Sequence, residues 1–172
     1  MIVLMAGLPG TGKTTLAREL ARRTVGRVLS KDEIRHSIFL PEEIEYSSHQ
    51  DDFCVRLMLQ TAGYLLARDP NKVILLDGRP FSKRYQIENA VAATEAMGQS
   101  WRIIECVCGE DVARQRLQAD GKQGNHPAGN RDFNLYLEVK ARFESISLPK
   151  VVVDTGHSLE TSVDQALAGI GR

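Results

Sequence analysis

A few residues from its start the chain reads Gly7-Leu8-Pro9-Gly10-Thr11-Gly12-Lys13-Thr14-Thr15. This is the GxxxxGK spacing, followed by Thr, of a phosphate-binding turn. Glycines let successive backbone N–H groups curl into an anion-binding nest, and a helix beginning there turns its positive end to the same point. Lys13 then reaches the outer phosphates of a nucleoside triphosphate, Thr14 offers a hydroxyl to magnesium, and Thr15 completes the cofactor-binding set. A second constellation follows at Ser30-Lys31-Asp32-Glu33-Ile34-Arg35. A carboxylate held near bound phosphates can take the proton of an attacking hydroxyl, which makes Asp32 a candidate base. Arg35, one helical turn on, can hold phosphate or substrate. The same spacing would also suit a helix-capping acid and a solvated arginine; the phosphate loop beside it favours the functional reading.

These side chains need elements to position them. Apolar runs of strand length recur at 2–6, 27–29, 72–77, 101–107 and 150–154, and helical patterns fill 14–23, 31–39, 48–68, 82–97, 110–119, 135–145 and 159–170. Continuous apolar strands alternating with helices predict a parallel sheet covered on both faces, an α/β fold. In such sheets ligands bind beyond the carboxyl ends of the strands, which is where both constellations fall. The stretch DGKQGNHPAGNRD, 120–132, breaks the pattern with its glycines, proline and basic residues. A polar connection of this length is expected to be a lid.

The bulk composition narrows the class. The 172 residues carry 22 Lys+Arg against 22 Asp+Glu, so no basic excess favours a dedicated nucleic-acid binder. No apolar stretch reaches membrane-spanning length, and no basic segment precedes the glycine turn as a signal peptide would require. Cys54, Cys106 and Cys108 lack CxxC spacing, which argues against a disulfide framework or zinc site and fits a cytoplasmic protein. In Glu105-Cys106-Val107-Cys108, alternation places the two thiols on one strand face as small core residues.

GLPGTGKTT, SKDEIR, EYSS before a long helix, and VILLDG together resemble the small P-loop kinases. That group includes polynucleotide 5′-hydroxyl kinases, the kinase acting on seryl-tRNA and chloramphenicol phosphotransferase. The resemblance runs from Met1 to about residue 170. It implies a three-layer P-loop fold whose parallel five-stranded sheet is ordered 2-3-1-4-5, with one kinase domain spanning 1–172 and its lid near 120–132. It further implies that Asp32 is the base for the accepting hydroxyl and that Arg35 contacts the transferred phosphate or the acceptor. Relatives carry two lid arginines in an RLxxRG-like element, stacking on adenine and clamping phosphates. Here Arg116 matches the first and Asp120 stands at the second, leaving Arg114 and Arg131 as candidates to supply the charge. After the third strand Asp77 can reach magnesium, and Arg79 departs from the group's usual residues. The turn at Asp154-Thr155-Gly156-His157 would lie against adenine, with His157 a weak candidate contact.

Arg79 stands two residues past the third strand, where the acceptor should lie. Its guanidinium fork matches carboxylate and phosphate. Either it grips an anionic group on the acceptor with help from Arg84 or Arg35, or it pairs with Asp32 or Asp77 and shapes the site. The expected activity is an ATP- and magnesium-dependent kinase acting on a hydroxyl of a small molecule, as a monomer or homodimer without a membrane partner. Lys13, Asp32 and Arg116 would be its catalytic residues. A nucleic-acid 5′-hydroxyl or aminoacyl-tRNA acceptor is one alternative. An ATPase module driving a partner is another, although LLDGRP lacks the water-positioning Glu that such modules use. ATP is preferred to GTP through the resemblance, since the chain has no guanine-reading NKxD.

Overall fold

The computed structural model describes residues 1–123 and 132–171. Five strands form one parallel sheet ordered β2-β3-β1-β4-β5: β1 Ile2–Ala6, β2 Gly26–Ser30, β3 Val73–Asp77, β4 Trp101–Val107 and β5 Val151–Asp154. β1 lies centrally, with Ile2 opposite both Ile74 of β3 and Trp101 of β4. All five residues of β1 and of β3 are buried, as a strand covered on both faces requires.

Strand alternation divides the core into two layers. Ile2, Leu4, Ile74 and Leu76 pack with Met58 and Leu66 on one side of the sheet. Val3, Met5, Val73 and Leu75 pack with Leu16, Leu20 and Val163 on the other. The first layer is closed by α3 (Ser48–Arg68) and α4 (Arg84–Ala96), the second by α1 (Lys13–Arg23) and α7 (Leu159–Ile170). Each fully buried aliphatic side chain contributes about 1.5–3 kcal/mol of burial free energy. The stripe of α3 that faces the core runs through Cys54, Met58 and Ala62. Phe53, which resembles a core residue in the sequence, is 38% exposed.

Helix starts follow local capping chemistry. The Ser30 hydroxyl accepts from Glu33 N at the start of α2 (Lys31–Ile38), and Ser47 does the same for Gln50 N at the start of α3. Both satisfy donors that a helix otherwise leaves unpaired. α1 differs, because its cap is Gly12 and no side chain bonds its first turn. A helix N-terminus without a side-chain cap is suited to an anion.

The region after β4 differs from expectation. α5 runs Glu110–Gln123, past the expected end at residue 119 and into the segment assigned to the lid. The remainder of that segment to residue 131, including Arg131, lies outside the described residues. α6 (Phe133–Ala141) begins with Asp132 as cap, its carboxylate accepting from Leu135 N at 2.8 Å. Among the described residues, no helix is long and apolar enough to cross a membrane.

Candidate active site

The phosphate loop is locked where β1 meets α1. Gly7 has φ 128°, and a Cβ there would lie 2.3 Å from the Cys106 carbonyl oxygen, so no side chain fits. Gly7 N donates to Pro80 O at 3.0 Å, which ties the loop to the turn after β3. Lys13 is buried, and its Nζ donates to Gly7 O at 2.9 Å and Leu8 O at 2.7 Å, folding back over the loop.

Two cavities flank this loop. The first, about 430 Å³, holds Gly10, Gly12, Thr14 and Thr15 from the loop, with Arg116 and Asp120 from α5 and Thr155 and His157 after β5. Arg116 Nη1 donates to Thr155 Oγ1 at 3.1 Å and Nη2 to Thr155 O at 2.7 Å. Thr155 Oγ1 in turn donates to Thr11 O at 2.9 Å. The chain Arg116–Thr155–Thr11 therefore binds α5, the β5 turn and the phosphate loop together. Arg114 does not join it: its guanidinium lies 4.0 Å over the Phe133 ring and 3.5 Å from Glu110.

The second cavity, about 170 Å³, lies on the other side of the loop. Lys13 and Thr14 open into it from the loop, Asp32 and Arg35 from α2, and Asp77 and Arg79 from the end of β3. Asp32 is buried. Its Oδ1 accepts from Arg35 Nη1 at 3.0 Å and lies 3.5 Å from Lys31 Nζ. Its Oδ2 has no hydrogen bond among the described residues, so one oxygen is held and the other is open. Gly78 makes room for it: φ is 93°, and a Cβ there would lie 3.3 Å from Asp32 Oδ2 and 3.1 Å from Lys31 N.

Arg35 is fully buried, not solvated, and Ser30 rather than an acid caps α2, which removes the capping alternative for this pair. Asp51, from the first turn of α3, accepts from Arg35 Nη2 and from Lys31 Nζ, the latter at 2.7 Å. The sequence reading missed Asp51 because acids in a first helical turn are expected to complement the helix dipole. It missed Asp52 as well, which follows one residue later, because its partner Arg79 lies 27 residues away. Asp52 Oδ1 accepts from Arg79 Nη1 at 2.6 Å, in place of the expected partners Asp32 and Asp77. Arg84 is the clearest correction. It is exposed and lines a separate small groove with Glu144 and Ile146, away from Arg79. The N-terminus of α4 turns it outward, because Gln86 and Ile87 take the buried positions.

Asp77 is 2% exposed, and its Oδ1 has no hydrogen-bond partner among the described residues. An orphaned buried carboxylate oxygen on a residue that lines the same cavity as Thr14 fits a hard cation with oxygen ligands. The thiols behind the loop play no such part. Burial pushes Cys106 up to about 12, and burial also raises Cys108 against the lowering effect of Arg116.

The glycine-rich turn after β1, the uncapped helix it feeds and the 2-3-1-4-5 sheet define a P-loop nucleotide-binding fold of the nucleotide-kinase arrangement. The chain belongs to the AAA domain family, whose profile matches residues 2–145. No curated protein matches the sequence. Among solved structures, the APS kinase CysC of Mycobacterium tuberculosis in complex with AMPPNP and APS is similar at 18% identity. It covers 99% of this chain and 97% of that one, with TM-score 0.73. A gluconokinase from Sinorhizobium meliloti is similar at 19% identity over 99% and 91% of the two chains, with TM-score 0.68. Kti12 of Chaetomium thermophilum in complex with ADP-AlF3 shares 13% identity over 99% and 97%, with TM-score 0.73. At these identities the likeness is one of fold.

Proposed function

We propose that residues 1–172 act as one kinase domain that transfers the γ-phosphoryl group of ATP to a hydroxyl of a small molecule carrying an anionic group. One observation carries this reading: Lys13 and Thr14 of the phosphate loop open into the same cavity as Asp32, the candidate base. ATP would occupy the larger cleft, with its phosphates on the loop N–H groups and Arg116 beside them. Lys13 would turn from the loop carbonyls to the outer phosphates.

The acceptor would enter the smaller cavity with its hydroxyl against the open Oδ2 of Asp32. As the oxygen bonds to the γ-phosphorus, the bond to the bridging oxygen breaks, the hydroxyl proton passes to Asp32 and ADP leaves. Arg35 and Lys31 hold Asp32 in place and balance its charge. Thr14 and Asp77 would hold magnesium, which supplies positive charge to the phosphates. The gluconokinase and APS kinase among the similar structures act on small substrates, as their names state, which supports a small acceptor here. Arg79, with two guanidinium nitrogens unpartnered among the described residues, and Arg142 at the rim line this cavity and support an acceptor with negative charge.

The test is a screen of hydroxyl-bearing metabolites and 5′-hydroxyl oligonucleotides for ADP production, with Lys13→Ala as the control. We expect acceptor-dependent ADP production from a small anionic alcohol and none from the variant. Turnover only with oligonucleotides, or equal turnover by Lys13→Ala, would reject the reading.

A further inference from the structure

Arg79 is 3% exposed and lines the acceptor cavity, yet its Nε and Nη2 have no hydrogen-bond partner among the described residues. Only Nη1 is engaged, by Asp52. In a guanidinium, Nε–H and one N–H of Nη2 point the same way along one edge, forming a fork that meets two oxygens of a carboxylate or a phosphate. Buried donors are seldom left unpaired, because the lost hydration is not recovered. The pairing expected for this edge is a ligand.

Charge balance narrows the ligand further. On the acceptor side Lys31, Arg35 and Arg79 face Asp32, Asp51 and Asp52, and every one of these charges is paired. Lys13 and Asp77 belong to the phosphate loop and the cation. At the rim Lys83 is taken by Glu144. Arg142, at the C-terminal end of α6, lines the cavity with no ion pair or side-chain hydrogen bond among the described residues. A neutral shell with one uncommitted, exposed cation at its rim among the described residues accommodates one negative charge. A phosphate dianion would leave an uncompensated charge in a buried site, which is costly.

The edge is also held in position. Asp52 Oδ2 accepts from Tyr85 OH at 3.4 Å, fixing the acid behind Arg79. The turn that carries Arg79 is pinned through Pro80 O to Gly7 N. Phe81 next to it adopts φ 52°, sparsely populated for a bulky residue, while its ring is buried in the core.

We infer that the acceptor is a hydroxy acid whose carboxylate is bound side-on by Nε and Nη2 of Arg79, with Asp52 as the positioning residue that presents that edge. This rests on the proposed kinase reading for the hydroxyl, but not for the carboxylate. The full chain is first saturated with ADP and magnesium, so that the phosphate loop is occupied. The Arg79 Nε–H resonance, assigned through the backbone, is then followed by NMR during titration with glycolate, methyl phosphate and ethylene glycol. Glycolate is expected to shift it saturably and to bind at least about tenfold tighter than methyl phosphate, as the cost of an uncompensated buried charge implies; ethylene glycol should leave it unmoved. Equal or tighter binding of methyl phosphate, or no shift with glycolate, would overturn the carboxylate assignment.

Asp52→Asn removes one negative charge beside Arg79, so the preference for glycolate over methyl phosphate should largely disappear without a change in ADP affinity, and Asp52→Glu should keep the preference. An unchanged preference in Asp52→Asn would overturn the role given to Asp52. Should glycolate bind as expected while no hydroxy acid is phosphorylated, the carboxylate site stands and the kinase reading falls.

Discussion

Asp51→Ala tests whether the acceptor side is held together by buried charge. Arg35 has no exposed side-chain surface and Lys31 has 8%; both bond to Asp51, whose own side chain is 20% exposed. Removing one partner of a buried pair costs about 3–5 kcal/mol. Asp32 remains in reach of both cations, at 3.0 Å from Arg35 and 3.5 Å from Lys31, so the loss belongs at the lower end, about 3 kcal/mol. For a chain of this length each kcal/mol moves Tm by roughly 2–4 °C, giving a fall of about 6–12 °C. Asp51→Asn keeps the volume and one acceptor and should fall by about half as much. Thermal unfolding followed by circular dichroism without nucleotide reads both values. Pairing Asp51→Ala with Arg35→Met in a double-mutant cycle isolates the shared term. A Tm loss below about 3 °C for Asp51→Ala, or no coupling in the cycle, would refute the view that this cluster is structurally committed.

The other expectations concern chemistry, nucleotide and pH. Asp32→Asn keeps the size of the side chain but cannot take the proton, so phosphoryl transfer should fall by about 10²-fold or more while ATP affinity changes little; quenched-flow transfer and nucleotide titration separate the two. Arg116→Ala cuts the link from α5 through Thr155 to the phosphate loop, and ATP affinity should weaken by about tenfold in calorimetry with the acceptor KM unchanged. For Cys106, burial raises the thiol from 9.0 to about 12, so the folded state holds its proton more tightly than the unfolded one. Its contribution is then complete below pH 9 and is lost as pH rises toward 12, by up to about 1.4 kcal/mol per pH unit. Denaturant unfolding across that window should show the slope, and Cys106→Ala should remove it while lowering stability at every pH through the cavity it leaves.

The sheet was legible because each strand needed no partner information to be recognised. Ile2–Ala6 and Trp101–Val107 end where the sequence places them; the first is a continuous apolar run because it is buried on both faces, while the second interrupts its apolar residues with Arg102 and Glu105. α3 and α7 also keep their expected limits, each being capped by a serine just before its first residue. α5 was misjudged because Asp120-Gly121 reads as a helix stop, yet glycine inside a helix costs only about 1 kcal/mol relative to alanine. The helix continues to Gln123. The short 3-10 turn at Pro41–Glu43 carries no periodic signal and was not foreseen.

The site was legible on its nucleotide side and only half so on the acceptor side, for a physical reason. A phosphate loop is a local device: its glycines, Lys13 and Thr14 are consecutive, and their geometry follows from backbone conformation. The acceptor side is made by distant segments. Asp51 meets Arg35 across 16 residues, and Asp52 meets Arg79 across 27. Those meetings depend on β2 lying beside β3, so that α2 and the start of α3 both reach the end of β3. In the order 2-3-1-4-5, Asp51 and Asp52 meet the buried cations Lys31, Arg35 and Arg79. The strand order, which the resemblance implied, therefore carried the missing information. On the proposed reading, the charges on the crossover after β2 set acceptor choice, and substitutions at Asp51 and Asp52 should alter it while leaving the phosphate loop untouched.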